Sequence, residues 1–119
     1  MNAVAVLLLA LTTAIADETW IARAQESAAA TGLICRVASA AATPRRVRVE
    51  SFAADGTPVF DSGRFLLAPE AVFQSGVGSR GLMCRFELED GRALRAEAVV
   101  FDAALQRFVA IRAHRARGR

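Results

Sequence analysis

The sequence predicts a single all-β domain in which two antiparallel sheets pack against each other. Three observations predict this class. Short runs alternate apolar and polar residues, Gly, Pro and Asp separate these runs, and few stretches favour a helix. Behind an apolar N-terminal segment, about 100 residues remain, which is the usual size of one domain. We expect about seven strands in this domain.

The N-terminal segment is interpreted as a signal peptide. Residues 1–16, MNAVAVLLLALTTAIA, carry no charged side chain and end in the small-x-small triplet Ala14, Ile15 and Ala16. A membrane-spanning helix needs about 20 apolar residues, which is more than this run supplies. The alternatives are a retained anchor and an ordinary buried helix. The sequence therefore predicts a signal-peptide helix over residues 1–16, a domain over residues 17–111, and a periplasmic or secreted location.

The expected strands follow one another along the mature chain. The first segment, residues 18–31, suits a helix by its Ala, Glu and Gln content, but Trp20 and Ile21 favour a strand. Later runs alternate strictly, as in LMCRFEL, where every second residue is apolar or cysteine. The alternation predicts that these side chains point into the core: Leu33, Cys35, Val37, Val47, Val49, Phe86, Leu88, Ala98 and Val100.

Turn residues separate these runs. Asp90-Gly91 is the strongest hairpin signal, because glycine accepts the positive φ that tight hairpins need. Asp61-Ser62-Gly63 likewise predicts a hairpin turn.

The two cysteines, Cys35 and Cys84, both lie in the mature part and on predicted inward faces. In an oxidising compartment a single pair has only one intramolecular connectivity, so we expect a Cys35–Cys84 disulfide.

From Cys35 through TPRRVRVESFAADGTPVFDSGRFLLAPE to GLMCRFELEDGRALRAEAVVFD, the chain resembles small exported bacterial proteins of the immunoglobulin-like β-sandwich type. The resemblance spans about Leu33 to Arg112 and implies an immunoglobulin-like sandwich but no particular activity. Two residues depart from it. Glu70 stands where glycine is usual, and Ser51 stands where a large apolar residue would be expected.

A literal G-x-G-x-x-G occurs at Gly76, Gly78 and Gly81. A dinucleotide site needs these glycines after a strand and at the start of a helix, whose N-terminus faces the pyrophosphate. Here a cysteine-bearing strand pattern follows instead of a helix. We therefore interpret the glycines as an inter-strand loop and expect no nucleotide or other cofactor.

The sequence VFDSG at residues 59–63 has the apolar-apolar-Asp-Ser-Gly pattern of aspartic proteases, which would rest on Asp61 in a homodimer. That chemistry needs two carboxylates sharing a proton. His114 is the one histidine and lies in a polar tail, and clustered metal ligands are lacking. The leading hypothesis is a non-enzymatic interaction or structural module with an unknown macromolecular partner. The alternative is a small hydrolase using Asp61.

Charge is concentrated at the C-terminus. Residues 112–119, RAHRARGR, hold four of the 15 arginines and no acid, so the other residues, with 11 arginines against 12 acids, are nearly balanced. The pattern predicts interspersed charges on the strand faces and no basic groove for a specific nucleic acid. The tail is expected to be a solvated end that contacts anionic surfaces weakly.

We expect binding to anionic vesicles or heparin to be weak and to disappear near about 0.3 M salt, because exposed charges are screened there. Deleting Ala113–Arg119 should abolish it, as measured by co-sedimentation with the vesicles. Unchanged binding by the truncated protein would place the positive patch on the sandwich itself.

Overall fold

The computed structural model describes residues 17–24, 30–76 and 82–116, and for residues 30 and 31 only the backbone. The predicted signal peptide, residues 1–16, and the end of the predicted tail, residues 117–119, lie outside this range. The described residues form ten strands: β1 Glu18–Arg23, β2 Ala30–Ser39, β3 Arg45–Phe52, β4 Pro58–Asp61, β5 Phe65–Leu67, β6 Val72–Gln74, β7 Met83–Leu88, β8 Leu94–Asp102, β9 Arg107–Arg112 and β10 His114–Arg115.

These strands build two antiparallel sheets, so the predicted all-β class is confirmed. Sheet A has the order β10-β1-β7-β3-β4, and β5 also pairs with β3. Sheet B has the order β6-β2-β8-β9. In the first segment, residues 18–23 form a strand, as Trp20 and Ile21 predicted, and residues 25–29 lie outside the described range. Within the described part of the chain, no helix is long and apolar enough to cross a membrane.

The core lies between the two sheets and consists of the residues that alternate along their strands. All nine side chains predicted to point inward are buried. The inward residues of β3 and β7 form cross-strand pairs, such as Val49 with Phe86. In sheet B, Val37 of β2 pairs with Ala96 of β8. The alternation of apolar and polar residues in the sequence therefore arises because one face of each sheet is buried.

The predicted disulfide is confirmed, and it links the sheets. Cys35 lies on β2 of sheet B and Cys84 on β7 of sheet A, and their sulfur atoms are bonded at 2.04 Å. Both strands are flanked by a neighbour on each side. The bond therefore connects the interiors of the two sheets rather than their edges.

The prediction of a hairpin at Asp90-Gly91 is wrong. These residues join β7 of sheet A to β8 of sheet B, through a short 3-10 helix at Gly91–Ala93. Asp90, not the glycine, adopts the positive φ, at 53°. Gly91 is needed for space, since a Cβ there would lie 2.5 Å from Nε1 of Trp20. Its N–H also donates to Glu18 Oε1 at 3.1 Å, which fastens β1 to this connection.

Asp61-Ser62-Gly63 is also not a hairpin turn. The strands on either side of it, β4 and β5, both pair antiparallel with β3, so they form one interrupted edge strand. The register changes between Glu50↔Asp61 and Val47↔Phe65 by one residue, which makes the interruption a bulge. Gly63 takes a φ of 69° there.

Glu70 lies in the corner between β5 and β6 with a φ of 62°. This left-handed conformation costs a residue with a side chain about 1 kcal/mol and favours glycine. A glycine at this position would therefore suit the backbone conformation that Glu70 adopts.

The C-terminal boundary differs from the predicted solvated tail. Arg112 is the last residue of β9, and Ala113 is buried. The next residues form β10, in which His114 pairs with Ile21 and Arg115 with Trp20. Apolar contacts at Ala113 and backbone pairing to β1 therefore hold the first part of the tail against the domain.

Replacing Cys84 with alanine should lower the melting temperature by more than about 10 °C. The bond closes a loop of 49 residues, and on the chain-entropy model this contributes about 4 kcal/mol, less any strain. Differential scanning calorimetry of the single variant and of the Cys35→Ala/Cys84→Ala double variant would measure the loss without a confounding free thiol. A decrease of less than about 3 °C in both would contradict this account.

Candidate interaction surface

The outer face of sheet A, which points away from sheet B, carries an ion-pair network centred on Arg48. The Arg48 guanidinium donates to both oxygens of Asp61, at 3.0 and 2.7 Å. It also lies 3.6 Å from a Glu50 oxygen and 3.9 Å from a Glu87 oxygen. Arg85 contacts the same two glutamates, at 3.9 and 3.7 Å. With Arg64, which lies 3.6 Å from Glu87, three arginines face three acids, and the network is balanced.

Asp61, the residue on which the hydrolase alternative rests, is committed to this network. Its hydrogen bond from Arg48 and a second one from the Gly63 N–H lower the pKa of Asp61 from its ordinary 3.8 to about 2. A pair of carboxylates that shares a proton needs one member with a raised pKa. In this position Asp61 is an ionised partner for arginine.

Two other predicted features lie apart from this network. Gly76 is exposed just after β6, whereas Gly78 and Gly81 lie outside the described residues. The next described element is the strand β7, as the sequence predicted. His114 is exposed on β10, opposite Ile21. Among the described residues, no group of three His, Cys, Asp or Glu side chains could hold a metal ion.

The outer face of sheet B, which points away from sheet A, has a different composition. At one end, a polar row crosses all four strands through Gln74, Arg36, Glu97 and Arg112, each opposite the next in the ladders. Beyond it lies an apolar area made of two rows of cross-strand neighbours on β2, β8 and β9. Its members are Ile34, Val99, Ala110, Phe101 and Phe108.

Phe108 is the most exposed member of this apolar area. It lies on β9 with 66% of its surface accessible, and its ring contacts Phe101 edge to face at a centroid distance of 5.4 Å. Aromatic rings that are supported on one side and exposed on the other are typical of binding surfaces.

Glu97 is the one acid on this face among the described strand residues, and it is buried, with 4% of its surface accessible. Arg36 Nε donates to Glu97 Oε2 at 2.8 Å, and Arg36 Nη2 contacts the same oxygen. Arg95 Nε lies 3.5 Å from the other oxygen. Arg112 on β9 is also a cross-strand neighbour of Glu97. The single negative charge of Glu97 therefore lies among three arginines, Arg36, Arg95 and Arg112, and can neutralise one of them.

The expectation of balanced, interspersed charges on the strand faces is wrong for sheet B. Its described outer strand residues carry Arg36, Arg95 and Arg112 against Glu97 alone. Arg112 belongs to residues 112–119, but for the rest of the chain the near-zero total concealed the surplus of Arg36 and Arg95 over Glu97, because the acids are concentrated on sheet A and in turns.

A shallow depression of about 420 Å³ lies where the polar row meets the apolar area. Its floor and walls combine apolar and aromatic side chains with one guanidinium and one amide. The lining residues are Ile34, Arg36, Gln74, Val99, Phe108 and Ala110. This arrangement can bind a group that is apolar along its length and anionic or hydrogen-bonding at one end.

A larger depression, of about 760 Å³, lies beside the β3–β4 turn and is lined by residues 53–59 and Leu82. It contains one charged side chain, Asp55, whose pKa is lowered by hydrogen bonds from Thr57. That carboxylate is engaged in its own turn, so this depression offers no comparable set of convergent polar groups.

The sequence pattern did not single out Phe108, Arg36 or Gln74. The alternation in RFVAIRA, residues 107–113, predicts a strand, but alternation alone does not reveal which face of it meets the core. The signal that was available is the pair of phenylalanines in VVFDAALQRF, since only one face of a hairpin can be buried in a two-sheet fold.

Replacing Asp61 with asparagine should reduce stability in a pH-dependent manner. Because the folded-state pKa is lowered to about 2, the Asp61 contribution should be complete above about pH 5 and should fall as the pH drops towards 2. Melting curves of wild type and Asp61→Asn should therefore differ at pH 7 and converge near pH 2. In Arg48→Gln, NMR titration should show a higher Asp61 pKa than in wild type, and an unchanged value would refute the assigned cause.

Comparison with known proteins supports the fold alone. No family model and no curated protein matches the chain. Among solved structures, the chain is similar to the crystal structure of Thermotoga maritima 1070, with 8% sequence identity and a TM-score of 0.54. The similarity covers 87% of this chain and 98% of that one.

Proposed function

We propose that this chain is a non-enzymatic interaction module, exported to the periplasm or secreted, which binds a protein partner through the outer face of sheet B. The observation that carries the proposal is the combination of exposed Phe108, the depression beside it and the surplus of arginine on the same face.

The difference between the two outer faces supports the choice of surface. On sheet A, Arg48 and its neighbours satisfy one another, so this face gains little from a partner. On sheet B, apolar area is exposed next to arginines that outnumber their acids. Interfaces are enriched in aromatic residues and arginine and depleted of other charges, which is the composition of this face.

Export is supported by the Cys35–Cys84 disulfide, since such bonds persist in oxidising compartments. The apolar residues 1–16 are the second argument for it. We further propose that the sandwich is of immunoglobulin-like type, with the bond between the interior strands β2 and β7 as the supporting feature.

The Asp61 hydrolase is the less favoured alternative. An Asp61 with a pKa of about 2, held by Arg48, is poorly suited to share a proton with a second copy. Weak contact of the C-terminal arginines with anionic surfaces remains an accessory part of the proposal.

Replacing Phe108 with serine should abolish capture of the partner. The tagged protein would be crosslinked in its native envelope, and the captured proteins compared between variants by quantitative mass spectrometry. Leu66→Ser is a matched control, because Leu66 is also 66% exposed but lies on β5 of sheet A. At least tenfold depletion of one protein in Phe108→Ser, with normal capture by Leu66→Ser, is expected. Equal effects of the two substitutions, or none, would refute the proposed surface.

A further inference from the structure

β9 is the longest single strand at an edge of either sheet among the described strands. It ends sheet B and has six residues, without proline or glycine. The other edge strands are shorter: β6 has three residues and β10 has two, and the interrupted edge strand has four residues in β4, which starts at Pro58, and three in β5. Proteins usually shorten or block edge strands, because their unpaired backbone groups pair readily with another strand. We therefore expect the β9 edge, which lies next to the proposed binding face, to pair with a strand of a binding partner.

The backbone of β9 presents alternate residues to this edge. Ala113 N–H donates to Ala96 O at 3.0 Å, which makes residues 96 and 113 a hydrogen-bonded pair of the β8–β9 ladder. Hydrogen-bonded and non-hydrogen-bonded pairs alternate in an antiparallel ladder. In the observed register, Phe108, Ala110 and Arg112 consequently direct their N–H and C=O groups away from β8. Their side chains lie on the outer face of sheet B, beside the depression.

The side chains of β9 indicate which strand would fit. Its sequence, RFVAIR, has an arginine at each end and four apolar residues between them. On its paired side lies EAVVFD of β8, in which Glu97 is opposite Arg112 and Asp102 is opposite Arg107. Among the described residues, neither Arg107 nor Arg112 forms an ion pair, and both residues are exposed.

We propose that the β9 edge binds an extended peptide segment of the partner in which two acidic residues flank four apolar ones. The segment runs antiparallel to β9, extends sheet B to five strands and repeats on the open side the pairing that β8 makes on the other. Backbone hydrogen bonds to Phe108, Ala110 and Arg112 supply affinity, and the acids opposite Arg107 and Arg112 fix register and direction. This inference rests on the proposed function and names the chemistry of its partner.

A second copy of the chain fits this edge less well. Antiparallel pairing of two β9 strands would bring no acid to Arg107 or Arg112. It would also join two outer faces, on each of which Arg36, Arg95 and Arg112 outnumber Glu97. Like charges at such an interface oppose association. The arginine ends thus disfavour self-pairing while they attract an acid-flanked strand.

Binding of a defined peptide tests the inference. The probe is the fluorescently labelled peptide Ala-Glu-Ala-Val-Val-Phe-Asp-Ala, the sequence of residues 96–103, titrated with the disulfide-bonded full chain and followed by anisotropy. We expect saturable binding, weakened at least tenfold when both acids of the peptide are replaced by their amides. Arg112→Gln should weaken binding of the acidic peptide but not of the amide peptide. Equal binding of both peptides by wild type would overturn the charge assignment.

Hydrogen exchange locates the bound strand. The amides of Phe108, Ala110 and Arg112 should become protected when the peptide is added, whereas those of Val109 and Ile111 are already bonded to β8. Ala110→Pro removes one edge N–H without breaking the β8 ladder, and edge strands tolerate such a proline. It should abolish peptide binding, while the control Ala110→Val, which keeps the N–H, should retain it. Should Ala110→Pro fail to fold, the exchange pattern of wild type decides alone.

The outcomes separate this inference from the proposed function. Capture that depends on Phe108, together with no protection of the edge amides by the peptide, would overturn strand addition and leave the proposed surface intact. Loss of both would overturn both. Protection of the same amides without peptide, in a dimer detected by analytical ultracentrifugation, would show a second copy to be the occupant and refute the acidic partner.

Discussion

The disulfide between Cys35 and Cys84 sets the spacing of the two sheets and, through it, the composition of the core. Packed sheets normally lie about 10 Å apart, but the Cα atoms of these cysteines are only 5.7 Å apart. The cross-strand neighbours of the bond must therefore be small, and the described ones are: Ala22 and Ser51 beside Cys84, and Ala98 and Ser75 beside Cys35. All four are buried. The small space beside the disulfide accounts for Ser51, at a position where the resemblance had led us to expect a large apolar residue. Ser75 also accepts a hydrogen bond from the Cys35 N–H at 3.0 Å, so its hydroxyl is satisfied in the core.

Farther from the disulfide, larger side chains fill the core. Trp20, Phe86 and Val49 form one row of neighbours across sheet A. On the side of β4 to β6, the rings of Phe60, Phe65 and Phe73 contact one another and close the core. The aromatic residues Trp20, Phe60, Phe65, Phe73 and Phe86 thus serve the interior, whereas Phe101 and Phe108 lie on the outer face of sheet B, where Phe108 is the more exposed. A phenylalanine that remains exposed in a chain whose other described aromatics are at least partly buried needs a reason outside the isolated domain.

Period-two alternation predicted which residues enter the core, because burial of one face of a strand imposes that pattern directly. Counting cysteines was enough for the disulfide. The connections between strands were harder to predict. Turn residues such as Asp90-Gly91 and Asp61-Gly63 indicate a change of local backbone conformation, but they do not indicate which sheet the next strand joins. Gly91 is required because the Trp20 side chain packs closely against it, and the neighbouring sequence gives no sign of this tertiary contact. The binding face could not be predicted for the same reason. Arg36, Glu97 and Arg112 are 61 and 15 residues apart along the chain, and only the register brings them into one row.

The register also gives the arginines of β9 two distinct roles. Towards β8, Arg112 and Arg107 face Glu97 and Asp102, which favours one alignment of the hairpin, because a shift by one residue would place each arginine opposite alanine or phenylalanine. Towards solvent, the same side chains are a barrier to pairing with further copies of RFVAIR, as charged residues are on other exposed edges. A barrier that consists of positive charge is selective, however, since it excludes strands with basic ends and admits those with acidic ends. Specificity of this kind needs no additional residues, because the charges that align β9 with its own neighbour also define the neighbour that the open side can accept.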